Sequence, residues 1–237
     1  MSSVFWLTVR QLTGKWRLLI MTPLAMVPVV FTAFIVRLSP TPFVGEFEII
    51  VISTMLVGTI APLIVVSIAS VGFSNEIEDR TLANLTLSPI PRWKIVVPKL
   101  AGAIAVAAPF ILASALATSF LAYNRDATAV VAVTLSVFVG LAAYSSVFVW
   151  LGLVTKQAIG VGLLFIVLWE GFFSGYVSGI RLVSIRFYTV AMIHGLDPRR
   201  FVADRHVPLE PAIWVLVGTV GLFLWLSVQR LRRMDVP

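Results

Sequence analysis

The sequence predicts an all-α membrane protein with six transmembrane helices, an N-terminal interfacial helix, a short cytoplasmic helix, and short re-entrant or outer helices before the last span. Three observations carry this. Hydrophobic residues make up 59% of the 237 residues and charged ones only 12%, for a mean hydropathy of +1.00, which is too apolar for a soluble globule. The apolar residues form runs of about 20 or more, long enough to cross a hydrocarbon core. Lysine and arginine concentrate in alternate connections between those runs.

At the N-terminus Phe5, Val9, Leu12 and Trp16 share one helical stripe, while Arg10, Gln11, Gly14 and Arg17 fall elsewhere. That pattern predicts an interfacial helix over 3–16 lying in the membrane plane, with Val4 and Leu7 as misfits and a simple extension of the first span as the alternative. Spans follow near 18–36, 49–73, 95–122, 127–154, 157–180 and 211–229, together one transmembrane domain over 1–237. The first run is too long for a removable signal peptide and lacks a small-residue cleavage site, so it stays as a span. Pro23, Pro28, Pro62, Pro98 and Pro109 are placed to kink spans.

Between the fifth and sixth runs, Leu182 to Ile193 is apolar apart from Arg186 and a few hydroxyls. At about 12 residues it is too short to cross, so it is expected to dip into the membrane and return. His194-Gly195 supplies a helix stop, and Asp197-Pro198 reads as N-cap and first-turn proline of a second short helix to about His206. These are the outer short helices over 182–206; an irregular outer loop is the alternative.

With the N-terminus inside, the inner segments hold Arg10, Lys15, Arg17, Arg80, Arg92, Lys94, Lys99, Lys156, Arg230, Arg232 and Arg233, eleven cations. The outer segments hold seven: Arg37, Arg125, Arg181, Arg186, Arg199, Arg200 and Arg205. Every short loop agrees with a multi-pass protein of the plasma or inner membrane whose two termini are cytoplasmic, and the fifth connection dissents. The net charge of +7 suits a surface facing anionic lipids; no basic run with interleaved aromatics points to nucleic acid.

Several chemistries find no support. Cysteine is absent, which removes disulfides, thiolate metal sites and thiol nucleophiles. The five aspartates lie in predicted loops, and His194 and His206 lack H-E-x-x-H spacing or carboxylate neighbours arranged for a metal. Gly14-Lys15 is the one Gly-Lys pair and lacks the spacing of a phosphate-cradling loop, so no nucleotide or other cofactor site is expected in this chain.

The connection after the second span is the most structured loop. Asn75 can cap a helix, Glu78 completes a capping box, and Glu76, Glu78 and Asp79 lie at the positive end of its dipole. Pro89 and Pro91 end it, giving a short helix over 75–88 held between two spans. Ile77, Leu82 and Leu85 are its apolar anchors, and Glu76, Glu78, Asp79 and Arg80 its polar rim. A solvated connecting helix with no partner is the plainer reading.

Glu78-Asp79-Arg80-Thr81-Leu82, then Leu85, Leu87 and Ser88-Pro89, then Lys94 and Lys99 leading into the third span, resembles the corresponding region of ABC-2 type transporter permeases. The six-span layout matches more loosely, and Arg80 stands where many members carry Gly. The resemblance implies a coupling helix that docks into a groove on a separate ATPase. It further implies two copies of that ATPase, with ATP and Mg bound there, and a second permease, identical or paralogous. The implied activity is ATP-driven transport without an enzymatic site in this chain. Export is the expected direction, and few charges at depth favour a lipophilic or amphipathic cargo. Trp169-Glu170-Gly171 followed by Arg181 and Tyr188 is similar to the same family in a weaker way. A secondary transporter or membrane scaffold is the alternative, although no convincing inverted repeat is present.

Within the spans, Glu170 at membrane depth costs at least about 2.5 kcal/mol if unpaired, so it is expected to meet protein, water or an arginine such as Arg181, shaping the transport path or forming a structural ion pair. Gly171, Gly175 and Gly179 lay a bare strip for close helix packing, with a re-entrant bend as the rival reading. Thr59, Ser67 and Ser70 (with Ser74) fall in a polar stripe on the second span, either bonding between helices or lining a route.

Overall fold

The computed structural model describes residues 2–38, 44–73, 91–123, 126–173, 180–201 and 207–233. The regular elements among them are all helical: α1 (Ser2–Leu12), α2 (Lys15–Leu38), α3 (Gly45–Phe73), α4 (Trp93–Ala122), α5 (Ala127–Val154), α6 (Ala158–Phe172), α7 (Ile185–Leu196) and α8 (Leu209–Arg233), with a 3-10 turn at Ile180–Val183 before α7. Five of them, α2, α3, α4, α5 and α8, are long and apolar enough to cross a membrane. The fifth expected span differs: its described part, α6, is apolar but shorter than a crossing, and 174–179 lie outside the described residues.

Contacts between helix ends define two ends of the bundle. On the N-terminal side the start of α4 meets α1 at Gly102–Thr8 and the end of α3 at Lys99–Gly72, and the end of α5 meets the end of α3 at Gly152–Ser70; on the far side the start of α3 meets the ends of α4 and α7 at Phe47–Tyr123 and Glu48–His194, and the start of α8 meets the end of α7 at Leu209–Gly195. The centre is α5, which packs against α3, α4, α6, α7 and α8. Its sequence explains the position, because a helix that is apolar all round and rich in small residues belongs inside a bundle. Ala129, Ala132, Ser136, Gly140, Ala143, Ser145, Ser146 and Gly152 are all buried, leaving room for neighbours to come close. By contrast α2 and α8 present Phe31, Phe34, Trp214 and Trp225 outward, as faces meeting lipid should.

Glycines set the closest approaches. A Cβ at Gly102 of α4 would stand 2.9 Å from the Thr8 methyl of α1, and one at Gly140 of α5 would stand 2.5 Å from the Thr189 hydroxyl of α7. At Gly152 it would run into the Ser70 carbonyl of α3, and at Gly162 of α6 into the Val66 side chain. Among these contacts α1 lies against α4 through the face carrying Phe5, Thr8, Val9 and Leu12, while Arg10 and Gln11 stay exposed. The helix stops at Leu12, short of the expected 16, and Gly14 separates it from α2. Trp16 therefore belongs to the span and is exposed.

In α3 the backbone from Glu48 to Ile60 is π-helical, with α-helix from Ala61 to Ala69. Hydroxyls follow the wider turn: Thr54 donates to the Ile49 carbonyl at 2.8 Å and Thr59 to the Thr54 carbonyl at 2.9 Å, each five residues back. The change of period divides the expected polar stripe. Thr59 is exposed, Ser67 is half-buried and bonded to the Leu63 carbonyl, and Ser70 is buried and bonded to the Val66 carbonyl.

Candidate functional site

The most polar feature inside the bundle lies where α6 meets the start of α7. Ser184 caps α7, its hydroxyl oxygen accepting from the Phe187 N–H at 3.1 Å. The same hydroxyl donates to Glu170 Oε2 at 2.5 Å, and the Ile185 N–H donates to Glu170 Oε1 at 3.0 Å. Glu170 is wholly buried, with the positive end of the α7 dipole in front of it. The carboxylate is thus held by a helix terminus. Arg181, expected as a partner, has a side chain outside the described residues. The buried Tyr144 of α5 turns its hydroxyl toward the same carboxylate, short of good hydrogen-bond geometry.

Because α7 begins at this depth and ends at the far side, the expected dip of 182–193 appears as a helix rising outward from mid-bundle. Asp197 caps its end, so the stop falls within a few residues of His194-Gly195. The Tyr188 hydroxyl fastens the preceding 3-10 turn by donating to the Leu182 carbonyl at 3.0 Å. Asp197-Pro198 opens a turn, with the Phe201 N–H bonded to the Asp197 carbonyl at 3.2 Å, and residues 202–206 of the expected second helix lie outside the described residues.

Arg186 projects from the first turn of α7 to the π-helical part of α3. Its Nε and Nη2 donate to the Ser53 hydroxyl at 3.2 and 3.1 Å, and Nη2 donates to the Thr54 hydroxyl at 2.8 Å. Gly58 makes the room, since a Cβ there would stand 2.8 Å from Arg186 Cδ. Reading the sequence identified Arg186 as a polar exception in an apolar segment but missed its partners. Ser184 two residues before it carried the N-cap signal.

At the far-side rim, His194 near the end of α7 is bonded to Glu48 at the start of the π-helical segment. Asp126 caps α5 and accepts from Arg200 Nη1 at 2.5 Å, and the Arg200 guanidinium lies 5.2 Å from the Tyr123 ring. Burial first, and then the Glu48 carboxylate, push the Tyr123 phenol up, so it stays neutral. No group of three or more His, Asp or Glu that could hold a metal occurs among the described residues.

On the N-terminal side, buried Lys99 of α4 donates from Nζ to the Gly72 carbonyl of α3 at 2.6 Å and lies 4.1 Å from the Phe73 ring. It ties together the two ends of the 74–90 connection. Glu76, Ile77, Glu78, Asp79, Arg80, Thr81, Leu82 and Leu85 themselves lie outside the described residues. Replacing Lys99 by Met should leave that carbonyl unsatisfied and lower stability by about 1–3 kcal/mol. A melting temperature in detergent equal to the parent's would remove the clamp.

Of the glycine strip, Gly171 is exposed, and among the described residues a Cβ there would meet only its own helix at the Ile166 carbonyl, 3.5 Å away. Gly175 and Gly179 lie outside the described residues. No protein-family model matches this chain, and no curated protein matches it.

Proposed function

We propose that the chain is the permease subunit of an ABC-2 type transporter, exporting a lipophilic or amphipathic substrate across the plasma membrane. ATP is hydrolysed on Mg-dependent ATPase subunits, two per complex, and a second permease, identical or paralogous, completes the path. The observation that carries the reading is the sequence pattern of 74–95, with its capping-box residues, acidic pair, Thr81-Leu82 and Ser88-Pro89, followed by Lys99. Support comes from the Lys99 bond to Gly72, which fixes both roots of that segment so that a push on it reaches α3 and α4 together. The cation bias assigns the N-terminal side to the cytoplasm, where an ATPase would sit.

Leu82→Arg or Leu85→Asp should leave the chain inserted and folded but abolish co-purification with its partner ATPase. Unchanged binding and turnover in both variants would show that this segment does not couple. A second reading, a secondary transporter, draws on Glu170 and Arg186 at membrane depth. It requires transport to persist when no ATPase is present, which the same purified chain in vesicles tests.

A further inference from the structure

No acidic residue precedes Glu46, yet Arg10, Lys15 and Arg17 crowd the corner where α1 gives way to α2. Arg10 and Lys15 stand on either side of the Thr13-Gly14 break, both exposed, and neither pairs with a carboxylate among the described residues. Large apolar side chains turn outward around them: Trp6 is 69% and Trp16 79% exposed, and Leu7, Leu19 and Ile20 are exposed as well. On the outer face of α1 a shallow groove is lined by Trp6, Leu7, Val9, Arg10 and Thr13. The inner face is already used, since Thr8 fits against Gly102 of α4. Lys15 opens a helix long enough to cross the membrane, which sets this corner at headgroup depth, where exposed tryptophans settle. Cations without carboxylate partners at that depth match a phosphate head, and the apolar side chains beside them match the acyl chains it carries. A soluble acidic partner would suit the charges but not the apolar side chains that surround them.

We propose that the α1–α2 corner binds an anionic phospholipid of the leaflet on the N-terminal side, with Arg10 and Lys15 holding the headgroup phosphate and Trp6 and Trp16 seated beside it. The bound lipid pins α1 in the interface and, through the Thr8–Gly102 contact, against α4 one turn beyond Lys99. The site goes beyond the transporter reading and does not depend on it. Binding is measured without any ATPase, so failure of coupling and failure of the site are separate results.

The full chain, purified in uncharged maltoside micelles, is titrated with dioleoyl phosphatidylglycerol or dioleoyl phosphatidylcholine, which share their tails and differ in head charge; thermal stabilisation and lipid retained in native mass spectrometry are followed. Phosphatidylglycerol should bind saturably and about tenfold more tightly than phosphatidylcholine. Arg10→Gln/Lys15→Gln should bring the two lipids within about twofold of each other, whereas Arg10→Lys/Lys15→Arg should keep the preference, because interfacial attraction needs the charge more than the fork geometry. Arg232→Gln/Arg233→Gln removes two exposed cations from the end of α8 and should also keep it. Trp16→Ala leaves the charges in place and should weaken retention about threefold; it decides the matter if the double glutamine variant does not fold. Equal affinity for the two lipids, a preference that survives loss of both cations, or an equal loss in the α8 variant overturns the site. Competition by glycerol phosphate as effective as the lipid would overturn it in favour of a soluble anion, and a parent indifferent to lipid whose glutamine variant loses its ATPase would assign the corner to a protein instead.

Discussion

Gly152→Val yields little or no monodisperse protein, because the bundle has no space for the new side chain. The first atom it would meet is the Ser70 carbonyl oxygen, followed by the carbonyl carbon at 3.1 Å and Cα at 3.3 Å. All three are backbone in the last turn of α3, and Ser70 is further held by its hydroxyl bond to the Val66 carbonyl. Neither helix can yield locally, since α5 is packed by five neighbours and α3 by the Lys99 tie just beyond Ser70. Overpacking a core typically costs about 1–3 kcal/mol where side chains can shift. Backbone against backbone belongs at or above the top of that range. Gly171→Ala is the matched control: among the described residues its Cβ meets only the Ile166 carbonyl at 3.5 Å, and removing a helix-interior glycine should gain up to about 1 kcal/mol. Parent-like yield and melting for Gly152→Val, with loss for Gly171→Ala, would mean that α3 and α5 do not touch here.

That contrast shows where the sequence was legible. Run length and apolarity predicted five of the spans, with bounds for α5 that match residue for residue, because the cost of a charge in lipid is written into composition. The glycines at 171, 175 and 179 drew attention through their regular spacing, yet the close contacts in the described chain are made by Gly58, Gly102, Gly140, Gly152, Gly162 and Gly195. Each faces a partner distant in sequence, so no local period marks it. Thr59 fell out of the expected stripe for a similar reason: the stripe assumed an α-helical turn, and α3 is π-helical until Ile60. The polar junction was half legible. Glu170 could be seen to need a partner, whereas the capping Ser184 was not singled out, and their meeting depends on the path of the chain between them. On the N-terminal side the tie from Lys99 to Gly72 closes a connection whose residues were named from pattern alone, and its functional reading still rests on that pattern.

Glu170→Leu should be among the most damaging substitutions, and Glu170→Gln much milder, for reasons that separate structure from transport. The wild-type carboxylate satisfies two buried donors, the Ser184 hydroxyl and the Ile185 N–H, and sets a negative charge at the head of α7. Leucine fills a similar volume but accepts nothing. Two donors left unsatisfied at about 1–3 kcal/mol each outweigh the charge desolvation that leucine avoids, so a loss of roughly 3 kcal/mol or more is expected, with α7 released from α6. Glutamine can accept from Ile185 through its carbonyl and donate to the Ser184 oxygen through its amide, while giving up the interaction of charge with helix terminus, about 0.5–2 kcal/mol. Melting of the purified chain should therefore rank parent, Gln, Leu. Transport by the assembled complex then tells whether the carboxylate also serves the path. If Glu170→Gln melts close to the parent and transports normally, Glu170 is an anchor for α7 and no more; if it melts close to the parent but stops transport, the charge itself is used. Equal melting of the Leu and Gln variants would contradict the capping role, because only glutamine can replace the bonds that Ser184 and Ile185 make.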